Sequence, residues 1–322
     1  MPAEEHFVRS EEDQIYNTPE KWYVREKWIK YAQERKEKNH RDFIRLLTLT
    51  SINCYDVEFF RDHGLLSLTD TGYAPDSVTF CEYIQERYVL IRNRLPGARG
   101  FFGKLEEFVE AGSTQLTHRA ERWFPYDIIN LDFTKPGFRH GKSKTSLMMD
   151  TISKILTIQG LKEQSFSLFL TFPAIKSGND TAGIRQLNNC LRNNLRGRYP
   201  DFENTLLEKY PQAKIPSYRE FLLVVAPKLV IKYGQSRNFD IQCRERCTYI
   251  NRGARAVMVT FMFDCEYIGL TNGYGGENPA DILARQYPHR ILEIIERMHE
   301  DVNSKFAQSQ RLEQRCLKYT HK

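Results

Sequence analysis

Short apolar runs alternate with helical segments along residues 44–172, and this alternation restricts the fold more than any other feature. Ile44–Thr50 (IRLLTLT), Ser77–Glu82 (SVTFCE), Arg99–Phe102, Asp127–Asp132 (DIINLD) and Ser165–Phe172 (SFSLFLTF) read as strands. Each is a brief stretch rich in β-branched or aromatic residues and bounded by turn formers. Between them lie helical candidates: Cys54–His63 closed by Gly64, Tyr83–Arg94 closed before Pro96, the KLEEFVEAG stretch, and Ser143–Ile158. Parallel strands joined through helices cross over with one hand and need cover on both faces. The expectation is an α/β fold built on a mostly parallel sheet.

After Phe172 the order changes. The polar stretch from Pro173 to Pro216 reads as an insertion with helical pieces at Thr181–Leu195 and Asp201–Tyr210. Ser217–Tyr233 is predicted helical, capped by Ser217, ended by Gly234 and kinked at Pro227. Asn238–Asn251 and Arg255–Tyr267 are strand runs with only a short turn containing Arg252-Gly253 between them, the signature of an antiparallel hairpin. At the other end, Thr18 and Pro19 suit the N-cap and first position of a helix carrying Trp22, Tyr23, Trp28, Ile29 and Tyr31. A last helix is expected over about Pro279–Cys316. The chain divides into residues 1–17, a flexible start; 18–40, an N-terminal helix; 41–268, the α/β domain with its insertion at about 173–216; and 269–322, a C-terminal helical segment.

Composition excludes several classes. A hydrophobic content of 41% rules out wholesale disorder, and no apolar run nears the roughly 20 residues of a membrane span. The acidic start, MPAEEHFVRSEEDQ, is unlike a signal peptide, so a cytoplasmic protein with no membrane partner is expected. Of the seven cysteines only Cys243 and Cys247 are close. On an extended strand they stand about 13 Å apart, too far to share a metal. The formal net charge of +6 matters less than its placement in Lys21–Arg41, Lys135–Lys144, Arg185–Arg198 and Arg237–Arg255.

Asp132 closes an apolar strand, and carboxyl ends of such strands are where open α/β sheets bind ligands. Its competing role is to cap the following turn or helix. Lys135, Arg139, Lys142 and Lys144 make the next loop basic, a phosphate-facing rim or a solvated surface. Arg185, Arg192 and Arg196, interleaved with asparagines, fit a nucleic-acid groove or an ordinary polar helix.

Five βα units, then a helix and an antiparallel hairpin, resemble the class I S-adenosylmethionine-dependent methyltransferase fold, a Rossmann-like sheet, over about 44–267. The DIINLDF stretch is similar to the fourth motif of that family, in the style of tRNA-guanine dimethyltransferase-like proteins. The resemblance implies S-adenosylmethionine as cofactor. Glu82 would bind its ribose, the Thr50, Ser51 and Asn53 turn its methionine end, and Lys104 and Leu105 its adenine. It implies Asp132 and Phe133 as the residues that receive a target base. The chain departs from the family in the first loop, TLTSINCYD, which has no glycine. Two functions remain open: N-methylation of a nucleic-acid base, or a catalytically silent methyltransferase-like module binding nucleic acid or protein inside a bacterial defence or modification complex. Partner proteins would dock through the N-terminal and C-terminal helices.

Overall fold

The computed structural model describes residues 17–110, 122–135, 147–175, 204–205, 208–209, 217–251, 256–269 and 278–306. Its elements in chain order are α1 (Pro19–Lys38), β1 (Leu46–Thr48), α2 (Tyr55–Asp62), β2 (Leu68–Thr69), β3 (Gly72–Tyr73), β4 (Val78–Glu82), α3 (Gln85–Arg94), β5 (Arg99–Phe102), α4 (Leu105–Phe108) and β6 (Ile128–Asp132). Then come α5 (Leu147–Leu161), β7 (Phe166–Pro173), α6 (Tyr218–Gln235), β8 (Phe239–Asn251), β9 (Ala256–Tyr267), α7 (Pro279–Glu296), β10 (Glu300–Asp301) and α8 (Val302–Phe306).

One eight-stranded sheet runs in the order β10-β8-β9-β7-β6-β1-β4-β5, a mixed α/β, Rossmann-like arrangement. Strands β5, β4, β1, β6 and β7 are mutually parallel. Strand β9 runs antiparallel between β7 and β8, so the hairpin feeds one reversed strand into the sheet. β7 is buried at all of its positions, as a central strand covered on both faces must be.

The side-chain alternation of β6 divides the core. Ile129 and Leu131 point to one face and pack with Met149, Ile152 and Ile155 of α5 and Leu222 of α6. Ile128 points to the other, where Val24, Trp28 and Ile29 of α1 and Phe60 of α2 lie. Asn130 and Asp132 share the parity of Ile128 and therefore belong to the α1 face. Trp28 stacks on Phe169 of β7 with ring centroids 5.9 Å apart. α1 begins as expected, with the Thr18 hydroxyl oxygen accepting from the Lys21 N–H and Pro19 in the first turn.

Four features differ from the sequence reading. α6 runs on through Gly234, because a Cβ there would meet Ile241 Cδ1 at 2.2 Å; the glycine serves close packing on β8 rather than termination. The last helix stops at Glu296 instead of reaching Cys316. Lys209 and Arg246 donate to the backbone oxygens of Ile295 and Arg297 at that end, and the chain then adds β10 beside β8. Among the described residues the sheet consequently has eight strands, one more than the five parallel runs and the two hairpin strands supply. A small hairpin, β2–β3, also precedes β4. Among the described residues no helix is long and apolar enough to cross a membrane.

At its far end α1 is fastened by Arg35 and Lys38 to Asp264 and Glu266 of β9, and near its start Glu300 holds Lys27, Tyr23 and Lys305. Burial works against ionising Glu266 and Glu300, but hydrogen bonds and charges from these cations outweigh it and bring both carboxyls down to about 2 from 4.5. A depressed carboxyl stabilises the fold above its unfolded pKa and loses that contribution as it protonates. The melting temperature should therefore fall steadily between about pH 4.5 and pH 2, and Glu266→Gln should flatten that fall, which a calorimetric pH series would record.

Candidate functional site at the carboxyl edge of the sheet

α1 delivers two cations into the carboxyl edge. From its first turn, Lys21 places its ammonium against Asp132 Oδ2, 3.4 Å from Tyr249 Oη and 5.0 Å above the Trp28 ring. One turn later Arg25 Nε donates to Asp56 Oδ1 at 2.6 Å, and its guanidinium lies over the Trp22 and Tyr55 rings. Asn130 Nδ2 reaches the second oxygen of Asp56 at 3.5 Å. The four charged side chains are nearly sealed: Lys21 is 3% exposed, Asp132 9%, Arg25 2% and Asp56 7%.

Two cations thus face two carboxylates in a space that solvates neither. Burial pushes the Asp132 carboxyl up from its ordinary value, and Lys21 pulls it back. Burial opposes the Lys21 charge as well, yet Asp132, Tyr249 and Asp56 hold its ammonium above the usual lysine range. Desolvation drives the Tyr249 hydroxyl up to about 12, so it stays protonated. Thr48 Oγ1, Asn130 Oδ1 and Trp28 Nε1 lie buried without a hydrogen-bond partner among the described residues.

The predicted residues divide between several places. Asp132 ends a central strand, flanked by β1 and β7. Phe133 does not join it. Its N–H extends the pairing with Thr171 at 2.8 Å, and its ring packs on the α5 face, opposite to Asp132. Thr50, Ser51 and Asn53 form the turn after β1, where the Ser51 carbonyl accepts from the Cys54 N–H at 3.0 Å. Cys54 takes a left-handed conformation (φ 54°), its thiol is buried and pushed up to about 12 by desolvation, and Ile52 packs against the core. Glu82 sits at the end of β4, where its Oε1 accepts from the backbone N–H groups of Tyr83 (2.7 Å) and Ile84 (2.8 Å). Lys104 donates its backbone N–H to Glu107 at 3.1 Å, and the Leu105 side chain belongs to the core beside Phe101 and Phe108. Lys135 is exposed. Arg139, Lys142, Lys144, Arg185, Arg192 and Arg196 lie outside the described residues.

Lys21, Arg25, Asp56 and Tyr249 escaped the sequence reading. The signal that finds the cations is their spacing: Lys21, Arg25, Trp28, Ala32 and Arg35 fall on one helical stripe, and all are buried. The chain matches no family model, and no curated protein is similar to it.

Removing one member of a buried pair leaves an uncompensated charge. Asp132→Asn should lower stability by about 3–5 kcal/mol in a denaturant melt, whereas Lys21→Met combined with Asp132→Leu should recover most of that loss.

Proposed function

We propose that this chain is a methyltransferase-fold module that holds nucleic acid without transferring a methyl group to it. Support for the fold comes from the sheet order, with a reversed β9 between β7 and β8, which agrees with the order that the resemblance implies. Support for a silent site comes from a single interaction, the buried Lys21–Asp132 pair. A carboxylate that is to accept a proton from a base amino group needs a free lone pair and access. Asp132 instead has a cation on it and almost no exposure.

The residues present also fit S-adenosylmethionine poorly. The turn after β1 carries Cβ atoms at Ile52 and Cys54 where a glycine would allow close backbone approach, and both side chains are committed to packing. Glu82 spends one carboxylate oxygen on its own helix start. Charge supports the nucleic-acid half: the chain is formally +6, and the sequence that follows Lys135 carries further basic residues at Arg139, His140, Lys142 and Lys144.

Glu82 favours a second reading, N-methylation of a base, because it keeps an acidic group at the end of β4, one strand from β1. Titration calorimetry with S-adenosylmethionine and its demethylated product separates the two. The expected result is no saturable heat from either, with salt-sensitive binding of an oligonucleotide in a parallel anisotropy titration. Micromolar cofactor binding together with label transfer to the oligonucleotide would overturn the silent reading. Glu82→Ala would then weaken cofactor binding by about 1.5–3 kcal/mol per lost charged hydrogen bond.

A further inference from the structure

The sheet ends on β5, and α3, which packs beside that end, is covered on one side only. Ile84, Tyr88, Ile91 and Leu95 follow one another at helical spacing and turn inward. Ile91 and Leu95 are buried, and the Tyr88 ring lies 5.6 Å from that of Phe80. Glu86, Val89, Leu90 and Asn93 repeat the spacing on the opposite side of the helix, so they form a stripe that points away from the sheet. All four are exposed, Val89 to 48% and Leu90 to 50%. Valine is a poor helix former, so this position gains nothing local from carrying it. Among the described residues neither Glu86 nor Asn93 has a hydrogen-bond or ion-pair partner for its side chain. The strand edge itself is a poor template for another strand. Gly103 donates its N–H inward to Glu82, so the Gly100 carbonyl, three residues back, turns to the open edge, where Tyr88 Oη donates to it at 3.3 Å. The helix stripe is what this end of the molecule offers.

The order of the stripe selects its occupant. Along the helix it runs carboxylate, apolar, apolar, amide, and residues 86 and 93 stand equally far from the midpoint between Val89 and Leu90. A second α3 laid antiparallel about a twofold axis at that midpoint sets Val89 and Leu90 of one copy against Leu90 and Val89 of the other. At each end the Asn93 amide of one copy then donates to the Glu86 carboxylate of the other. The same arrangement lays the acidic first turn of one helix beside the basic last turn of its copy, with Arg92 and Arg94, and opposes the two helix dipoles. A different protein would have to present the same order reversed, and a nucleic acid would meet a like charge in Glu86. We propose that the outer face of α3 is a self-complementary surface through which two copies of this chain form a twofold dimer. One ten-residue helix buries less than a standard interface, so the dimer is weak, with a dissociation constant of about 10–100 μM.

Sedimentation equilibrium of the full chain in reducing buffer, over about 1–300 μM, tests it. The weight-average mass should rise from monomer toward dimer across that range. Leu90→Gln removes an exposed leucine from each copy and keeps a good helix former, so it should raise the dissociation constant about thirtyfold without changing the melting temperature of dilute protein. Glu86→Lys alone, and Asn93→Glu alone, should each weaken the dimer, because each sets an end of the stripe against a poor partner. Combining them reverses the stripe and should restore association. A chain that stays monomeric throughout the range would overturn the proposal, and retention of a different protein through Leu90 by such a monomer would give the stripe to that partner instead. A dimer indifferent to Leu90→Gln would place the contact elsewhere and overturn it as well. So would equal weakening in Glu86→Lys and in Glu86→Lys with Asn93→Glu, since the order of the stripe would then not matter.

Discussion

Desolvated charge on α1 governs how this molecule goes together. Lys21, Arg25 and Arg35 all sit on the helix face turned to the sheet, where an unpaired cation would cost several kcal/mol even after relaxation. Each therefore has to find a carboxylate, and each finds one on a different element: Asp132 on β6, Asp56 on α2, Asp264 on β9. Relative to aliphatic residues of equal size such pairs add little net stability. What they do is fix register. A slide of α1 by one turn, about 5.4 Å, would carry every cation away from its partner at once, while the apolar contacts of Trp28 and Val24 would change far less sharply.

The same constraint decides what the carboxyl edge can do. In an open α/β sheet this edge collects strand-terminal side chains that are free to meet a ligand. Here the first turn of α1 lies over it and converts its acidic group into half of an ion pair. Phe133, the ring that would stack on a base beside Asp132, is turned to the opposite face by the alternation of the strand. The two residues that the NLDF stretch places side by side in sequence are thus separated by the sheet itself.

Strand positions were legible because β-branched and aromatic runs mark them whatever their neighbours are, and β1, β4, β5, β6 and β7 all lie where those runs predict. Caps were legible for a similar reason: Thr18 before Pro19 and Ser217 before α6 act within three residues of themselves. The end of α7 was not legible, since it depends on Arg246 and Lys209, whose cations close it from far away in the chain. Nor could two residues, Glu300 and Asp301, announce a strand. The site divides on the same line. That Asp132 ends a strand is local information. That Lys21 neutralises it is a contact across 111 positions, and charged residues scattered among aromatics on α1 read naturally as a solvated face. Only the helical spacing of Lys21, Arg25, Trp28, Ala32 and Arg35 betrays that the charges and the core share a stripe.

The turn after β1 carries the argument one step further. A left-handed conformation at a residue with a Cβ costs roughly 1–2 kcal/mol, and glycine avoids that cost. This chain places Cys54 there, and its thiol is fully buried, where it behaves as a small apolar group. The strain is offset by packing under α2, and Ile52 packs in the same direction. A turn that must let a ligand approach its backbone gains from glycine twice, in strain and in space. A turn that supports a core gains from the side chains. Thr50–Cys54 is of the second kind, and so is Asp132 with Lys21 upon it: both carboxyl-edge features that would serve a cofactor and a base have been drawn into holding α1 and α2 on the sheet.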